Sequence, residues 1–158
     1  MPKSHQPGKR TAPAAHAVLD TNVVVAGFLT PGGTPARLLA MLGAGQLVAV
    51  YSDAVIEEYQ EVLCRSKFAI DPKAISAFME LVLAEGLRVT PLAGEQPRLP
   101  DPKDIPFGAA ALAAACPVVT GNLRDFPRTA GVEAISPAEF LARMESRPTS
   151  GQLPVGGI

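Results

Sequence analysis

The chain has 158 residues, 47% of them hydrophobic, which suits one compact domain with a substantial core. No apolar run approaches the ~20 residues needed to span a bilayer and no signal peptide is recognised, which argues against a membrane protein. The formal net charge of −1 offers no general attraction for nucleic acid, although a local basic rim could coexist with an acidic site. Cys64 and Cys116 form no metal-type pair, so a reduced cytoplasmic protein is the simplest expectation.

Five short apolar runs predict the strands of a single domain over residues 16–146. In chain order they cover residues 16–20, 47–51, 87–91, 117–120 and 132–135. The segments outside this domain differ in composition: residues 1–15 are basic and rich in proline and alanine, and residues 147–158 are rich in proline, glycine and serine. Both are predicted to be disordered tails.

Helices are predicted between these strands from capping residues and from prolines at first helical positions. Their expected ranges are about 35–42, from Ser52 as the cap to about 66, 72–86, 104–115, and a last helix opened by the capping box at residues 136–139. Strands that alternate with helices indicate an α/β fold, with a parallel sheet covered by helices on both faces.

Polar residues cluster where predicted strands end and helices begin, which is where ligands bind in open parallel sheets. Asp20 ends the first strand and is followed by Asn22. Asp104 begins a helix, and residues 120–125 follow the fourth strand. These three segments are therefore candidates for one shared site.

Helical geometry selects Glu58 among the glutamates of the helix after the second strand. At about 100° per residue the apolar residues of this helix form one stripe, and Glu57 and Glu61 fall roughly opposite it. Glu58 lies at the edge of the stripe, where its side chain could point into a cleft. Arg65 lies on the same side, where it could pair with Glu58 or contact a phosphate.

Several carboxylates gathered in one place favour a cation. Two bare carboxylates about 4 Å apart repel by about 4 kcal/mol at an effective dielectric near 20. Oxygen donors suit Mg²⁺ or Mn²⁺, which could polarise a phosphodiester and lower the pKa of a bound water. The chain has only two histidines, and it lacks both a P-loop and a nucleophile elbow, so zinc, nucleotide triphosphatase and serine-hydrolase mechanisms have little support.

Four segments in order resemble the motifs of PIN-domain nucleases, and in particular VapC-like toxins: residues 18–25, 52–59, 101–104 and 119–122. The resemblance covers nearly the whole region from residue 16 to residue 144. It implies a PIN-like three-layer sandwich, with a central, mostly parallel five-stranded sheet and helices on both faces. It also implies a Mg²⁺- or Mn²⁺-dependent endoribonuclease that cleaves single-stranded RNA. A small antitoxin and a homodimer of the toxin, as in a bacterial type II toxin–antitoxin pair, are the expected partners.

Carried over by position, the resemblance assigns Asp20, Glu58 and Asp104 as the three core acids. Many relatives have an aspartate at the position of Asn122, which makes Asn122 a candidate neutral metal ligand. Other relatives carry Thr-x-Asn-x-x-Asp, as this chain does, with the later aspartate near the site, which makes Asp125 a candidate fourth acid. The candidates for substrate contact, or for orienting these acids, are Asn22, Ser52, Arg65, Lys67, Thr120 and Arg124.

Each of these residues also has a purely structural interpretation. Asp20 and Asp104 could cap the helices that follow them, and Asp125 could cap a turn. Glu58 could be a solvated acid on a helix, and Ser52 is expected to be an N-cap. Asp101 is expected to shape its loop.

Three alternative functions remain open from the sequence. One is a housekeeping RNA-processing nuclease, which only a neighbouring antitoxin gene would distinguish from a toxin. Another is a PIN-like RNA-binding or interaction module with a degraded site. Asn122 and Ile105 favour it, because relatives often have an aspartate at these two positions, whereas the three intact core acids oppose it. A phosphoacceptor receiver domain is disfavoured, because the residues after the fourth strand do not supply the lysine that it needs.

Overall fold

The computed structural model describes residues 14–94 and 96–146. Within them the strands are β1 (Ala15–Leu19), β2 (Leu47–Tyr51), β3 (Leu87–Arg88), β4 (Val118–Val119) and β5 (Ala134–Ile135). The α-helices are α1 (Thr21–Leu29), α2 (Thr34–Gly43), α3 (Asp53–Leu63), α4 (Pro72–Glu85), α5 (Ile105–Ala114) and α6 (Pro137–Glu145). The predicted tails, apart from residues 14 and 15, lie outside the described residues.

The strands form one five-stranded sheet in the order β3-β2-β1-β4-β5, and every neighbouring pair is parallel. Ala17, Val18 and Leu19 are all fully buried although consecutive strand residues point to opposite faces, so helices cover both faces of β1. The predicted α/β fold is therefore confirmed. The order of the strands reverses between β1 and β4, which makes the carboxyl ends of these two strands the topological switch point of the sheet.

Helix α1 is not among the helices predicted from capping residues. The sequence indicated it only through the alternative in which Asp20 caps a following helix. The segment carries three consecutive valines, which favour strands when only local propensity acts. Val23, Val24 and Val25 are all buried, so burial of apolar area against the core outweighs the small cost of placing β-branched residues in a helix.

Several element boundaries also differ from prediction. The strands predicted at 87–91, 117–120 and 132–135 shorten to two residues each, while β1 begins one residue earlier than predicted. The helix after β2 ends at Leu63, and a separate 3-10 turn covers Ser66–Phe68. The predicted caps are confirmed: the side chain of Ser52 accepts from Val55 N at 3.3 Å, and that of Ser136 accepts from Glu139 N at 3.1 Å.

Tyr59 joins α3 to the end of β1. Its ring is fully buried, and its hydroxyl donates a hydrogen bond to the backbone carbonyl of Leu19. Burial raises the pKa of Tyr59, so the hydroxyl keeps its proton and remains a donor. Because Glu58 precedes Tyr59 and Asp20 follows Leu19, this bond lies between two candidate acids at the same edge of the sheet.

No single helix in the described residues is long and apolar enough to cross a bilayer. Helices α1 and α2 reach the required length only when taken together, and their axes meet at 98°.

Candidate active site

A cleft of about 290 Å³ opens at the carboxyl edge of the sheet, beside the switch point between β1 and β4. Its lining includes five acidic side chains: Asp20, Glu58, Asp101, Asp104 and Asp125. Three basic side chains, Arg65, Lys67 and Lys103, share the same lining, together with Asn22 and the apolar Val62, Phe68 and Phe107. The structure therefore brings together all four acids predicted for the site.

Asp20 lies at the bottom of this cleft, where its side chain is only 4% exposed. Its Oδ2 accepts a 2.7 Å hydrogen bond from Thr120 Oγ1, which is also buried. Burial raises the pKa of Asp20, while the hydrogen bond from Thr120 and the amides of Thr21 and Asn22 oppose that rise. Asp20 occupies the N-cap position of α1 and these amides face its carboxylate, but its side chain makes no capping hydrogen bond of normal geometry, so capping is not its main hydrogen-bonding role.

Asp104 stands at the N-cap position of α5, but its side chain makes no capping hydrogen bond. Its Oδ2 is buried and finds no hydrogen-bond partner in the part of the chain that the structure describes. Burial is the largest cause that raises the pKa of Asp104 to about 7, and the negative charges of Asp20, Asp125 and Asp101 add to it. Asp104 can donate a hydrogen bond to Asp125 only when the Asp104 carboxyl group carries a proton, and this interaction also raises its pKa.

Asp125 is oriented by the turn that follows β4. Asn122 Nδ2 donates to Asp125 Oδ2 at 2.9 Å, and Asn122 N donates to Thr120 Oγ1 at 3.0 Å. The Asn122 side chain is thus engaged by Asp125 and does not line the cleft. Thr120 and Asn122 act here as positioning residues, each holding a different acid.

Helix α3 presents its glutamates as helical geometry predicts. Glu57 and Glu61 are exposed, while Glu58 is half-buried and lines the cleft. Arg65 lines the cleft too, but its guanidinium lies 3.6 Å from the carboxylate of Glu61. Arg65 therefore pairs with Glu61 and not with Glu58, which was one of its two predicted contacts. The Arg65–Glu61 pair is exposed, so it contributes little stability.

Besides Thr120 and Asn122, two more predicted residues lie outside the lining of the cleft. Ser52 is buried as the N-cap of α3, and Arg124 is exposed in the 3-10 turn Leu123–Asp125. Asp101 accepts from Lys103 N at 2.9 Å, so it shapes the loop as predicted while also lining the cleft. Three further residues were missed by sequence reasoning: Tyr59, Lys103 and Phe68. Tyr59 was recognised only as part of an apolar stripe, because nothing local in the sequence shows which carbonyl its hydroxyl reaches.

The donor set of the cleft fits a hard divalent cation. Within residues 14–94 and 96–146, no three acidic, histidine or cysteine side chains converge closely enough to form a preassembled ion site. However, all the negatively charged donors are carboxylates, and Asp104 Oδ2 and Thr21 Oγ1 are buried oxygens with no hydrogen-bond partner among the described residues. Mutual repulsion of the carboxylates also raises the pKa of Asp104. A hard cation would relieve both conditions after rotation of the acidic side chains.

Comparison with known proteins identifies the family. Residues 16–124, more than half of the chain, match the family model described as PIN domain. The fold is similar to that of a VapBC2 structure from Rickettsia felis bound to a DNA fragment from their promoter. That match has a TM-score of 0.56 and 19% identity, and covers 77% of this chain and 98% of that one. A VapBC-1 structure from nontypeable Haemophilus influenzae has a TM-score of 0.52 and 15% identity, covering 78% and 98%. No curated protein sequence matches the chain significantly.

Proposed function

This chain belongs to the PIN domain family, a family of nucleases, and from that premise we propose that it is a metal-dependent endoribonuclease. Its reaction is the hydrolysis of phosphodiester bonds in single-stranded RNA, in the cytoplasm. The observation that carries the proposal is that Asp20, Glu58, Asp104 and Asp125 all line one cleft at the switch point of a parallel sheet.

Asp20, Glu58, Asp104 and Asp125 would hold Mg²⁺ or Mn²⁺. Such an ion, when bound, supplies Lewis-acid polarisation of the phosphodiester and lowers the pKa of an attacking water. Asn122 is better suited to orienting Asp125 than to ligation, because its amide nitrogen already donates to that carboxylate. The acids alone would repel an RNA backbone, so the cation is also what makes substrate binding compatible with their charge.

The protein's own groups prepare the site before substrate binds. Thr120 holds the Asp20 carboxylate in one orientation, and Tyr59 fixes the spacing between α3 and β1. Arg65, Lys67 and Lys103 lie on the rim of the cleft, where they would bind phosphates on either side of the scissile bond.

We further propose that the chain is the toxin of a type II toxin–antitoxin pair and forms a homodimer. The support is the likeness of fold to chains of two VapBC structures. A small antitoxin would insert a basic side chain among the acids of the cleft, because that would neutralise the same charges as the cation. Inhibition of cleavage by the product of an adjoining gene, together with the mass of the free protein in solution by light scattering, tests both statements.

The first experiment measures cleavage of a labelled single-stranded RNA by the wild type and by Asp20→Asn, with Mn²⁺ and with EDTA. Asp53→Asn is the matched control, because this exposed aspartate pairs with Arg88 outside the cleft. We expect cleavage by the wild type and the control with Mn²⁺, and none by Asp20→Asn. Circular dichroism should show that all three proteins are folded.

Two results would contradict the proposal. Cleavage that persists in EDTA would exclude the metal-dependent mechanism. Absence of cleavage of several RNAs by folded wild type would favour the binding-module alternative, which predicts RNA affinity without turnover.

A further inference from the structure

One aromatic ring is placed where the acidic cleft meets its basic rim. All eight aromatic side chains of the chain lie within the described residues, and six of them are buried. The two partly exposed rings are Phe28 and Phe68. Phe28 packs edge-on against Phe78 with ring centroids 5.8 Å apart, away from the cleft lining, whereas Phe68 lines the cleft itself.

A tight turn fixes the backbone that carries this ring. Phe68 ends the 3-10 turn Ser66–Phe68, in which Phe68 N donates to Arg65 O and Ala69 N donates to Ser66 O, both at 3.1 Å. Ala69 has a left-handed conformation with φ of 50°, which a non-glycine residue rarely adopts. This turn keeps the ring at the mouth of the cleft with one side packed on the core.

Three basic side chains share the cleft with this ring. Lys67 Nζ lies 5.1 Å from the centroid of the Phe68 ring, and its side chain is exposed, so it can move from the ring to a ligand. Arg65 and Lys103 line the same cleft. A flat aromatic surface beside cations is the pairing that single-stranded nucleic acids require, because the bases stack on the ring while the phosphates meet the charges.

We propose that Phe68 is a stacking platform for one nucleobase of the substrate, next to the scissile phosphate, with Lys67 neutralising the adjoining phosphate. The inference rests on the proposed nuclease function and adds a basis for its preference for single strands. A base within a duplex is stacked on its neighbours and cannot present its face to Phe68. Stacking tolerates any base, so Phe68 confers strand selectivity rather than sequence selectivity.

The experiment uses the full chain with Ca²⁺, a hard cation that oxygen ligands bind and that offsets the charge of the acids. It compares two labelled RNAs, one with normal bases and one in which the bases are replaced by abasic sites. Phe68→Leu keeps an apolar side chain on the core but removes the ring. We expect it to weaken binding of the base-bearing RNA about tenfold, the effect of losing one stacked base, with no change for the abasic strand. Phe28→Leu, the matched control, should bind both strands like the wild type.

A fluorescence measurement tests the same contact without loss of the ring. The chain contains no tryptophan, so Phe68→Trp introduces a single reporter at the cleft and Phe28→Trp introduces one away from it. Base-bearing RNA should quench the tryptophan of Phe68→Trp and leave that of Phe28→Trp unchanged. Lys67→Ala should weaken both strands equally and reduce the salt dependence of binding by about one phosphate contact.

The possible failures are distinct. If the wild type neither binds nor cleaves RNA, the proposed function falls. If the wild type cleaves RNA but Phe68→Leu binds the base-bearing strand as tightly as the wild type, or Phe68→Trp is not quenched, then only the stacking role of Phe68 is overturned. A Phe68→Leu protein that binds RNA normally but loses affinity for a protein inhibitor would show that the ring contacts a polypeptide instead.

Discussion

The hydroxyl of Thr120 donates a 2.7 Å hydrogen bond to the carboxylate of Asp20, although 100 residues of sequence separate them. Both side chains are buried at the ends of adjacent parallel strands, where Leu19 pairs with Val119 one residue earlier. The bond lowers the pKa of Asp20 against the effect of its burial. It thus helps to keep a buried acid ionised and ready for a cation.

Replacement of Thr120 with valine tests this bond. Thr120→Val should lower the free energy of unfolding by about 1–3 kcal/mol, because a buried carboxylate oxygen loses its donor at nearly constant side-chain volume. Urea denaturation at neutral pH measures the change. Thr120→Ser, which keeps the hydroxyl, is the control and should lose less stability; equal losses in the two variants would attribute the effect to packing alone.

The raised pKa of Asp104 predicts a pH-dependent stability in EDTA. Its pKa of about 7 in the folded protein exceeds the ordinary value of 3.8, so the folded state binds the proton more tightly than the unfolded state does. Stability should therefore fall as the pH rises from about 4 to about 7.

Asp104→Asn should remove this dependence. Above pH 7 we expect it to be more stable than the wild type by about 1–2 kcal/mol, after allowing for screening by solvent in the open cleft. The two proteins should converge near pH 4. Adding Mg²⁺ should stabilise the wild type and not the variant. Identical pH profiles of the two proteins would show that the Asp104 carboxyl titrates alike in the folded and unfolded chains.

Neighbouring glutamates of α3 provide a matched pair for the catalytic role of the cleft. Glu58 lines the cleft and Glu57 is exposed outside it. Glu58→Gln should reduce the rate of Mn²⁺-dependent RNA cleavage at least about tenfold, because it removes one of the negative charges proposed to hold the ion. Glu57→Gln should cleave at the wild-type rate. Equal rates in both variants would remove Glu58 from the site.

Gly86 predicts a large stability effect remote from the cleft. A Cβ at this position would lie 2.6 Å from the carbonyl oxygen of Ala49 and even closer to that of Val82, and neither backbone atom can move freely. Gly86→Ala should therefore lower the free energy of unfolding by about 2–3 kcal/mol.

Gly43→Ala is its control, because nothing lies within 4 Å of a Cβ built on that helical glycine. This second variant should be neutral or more stable by up to about 1 kcal/mol. Thermal unfolding of both variants gives the comparison. A harmless Gly86→Ala would mean that α4 and β2 are less closely packed than the distances indicate.

The two cysteines should differ in reactivity. Cys64 is exposed, while burial raises the pKa of the half-buried Cys116 to about 11. The thiolate is the nucleophile, so iodoacetamide at mildly alkaline pH should modify Cys64 well before Cys116. Mass spectrometry of peptides at successive times measures the two rates. Comparable rates in the folded protein would contradict the burial of Cys116.

Local sequence patterns determined most of the helices and strands and part of the site. The caps Ser52 and Ser136 act at the predicted positions, and the apolar stripe of α3 separates Glu58 from its exposed neighbours. These features depend on interactions within a few residues, which a single sequence displays. The α/β fold followed from their alternation, and the order of four motifs indicated the family.

Tertiary structure decided what depends on distant neighbours. It made Thr21–Leu29 a helix, because burial of Val23–Val25 outweighed local strand propensity. It joined Thr120 to Asp20 across 100 residues of sequence, and it placed Asp20 and Asp104 in the lining of one cleft. The pKa of Asp104 and the position of Phe68 likewise arise only when β1, α3 and α5 meet at one edge of the sheet. Residue types and spacing specify which groups are present, whereas distance and burial determine their protonation and their partners.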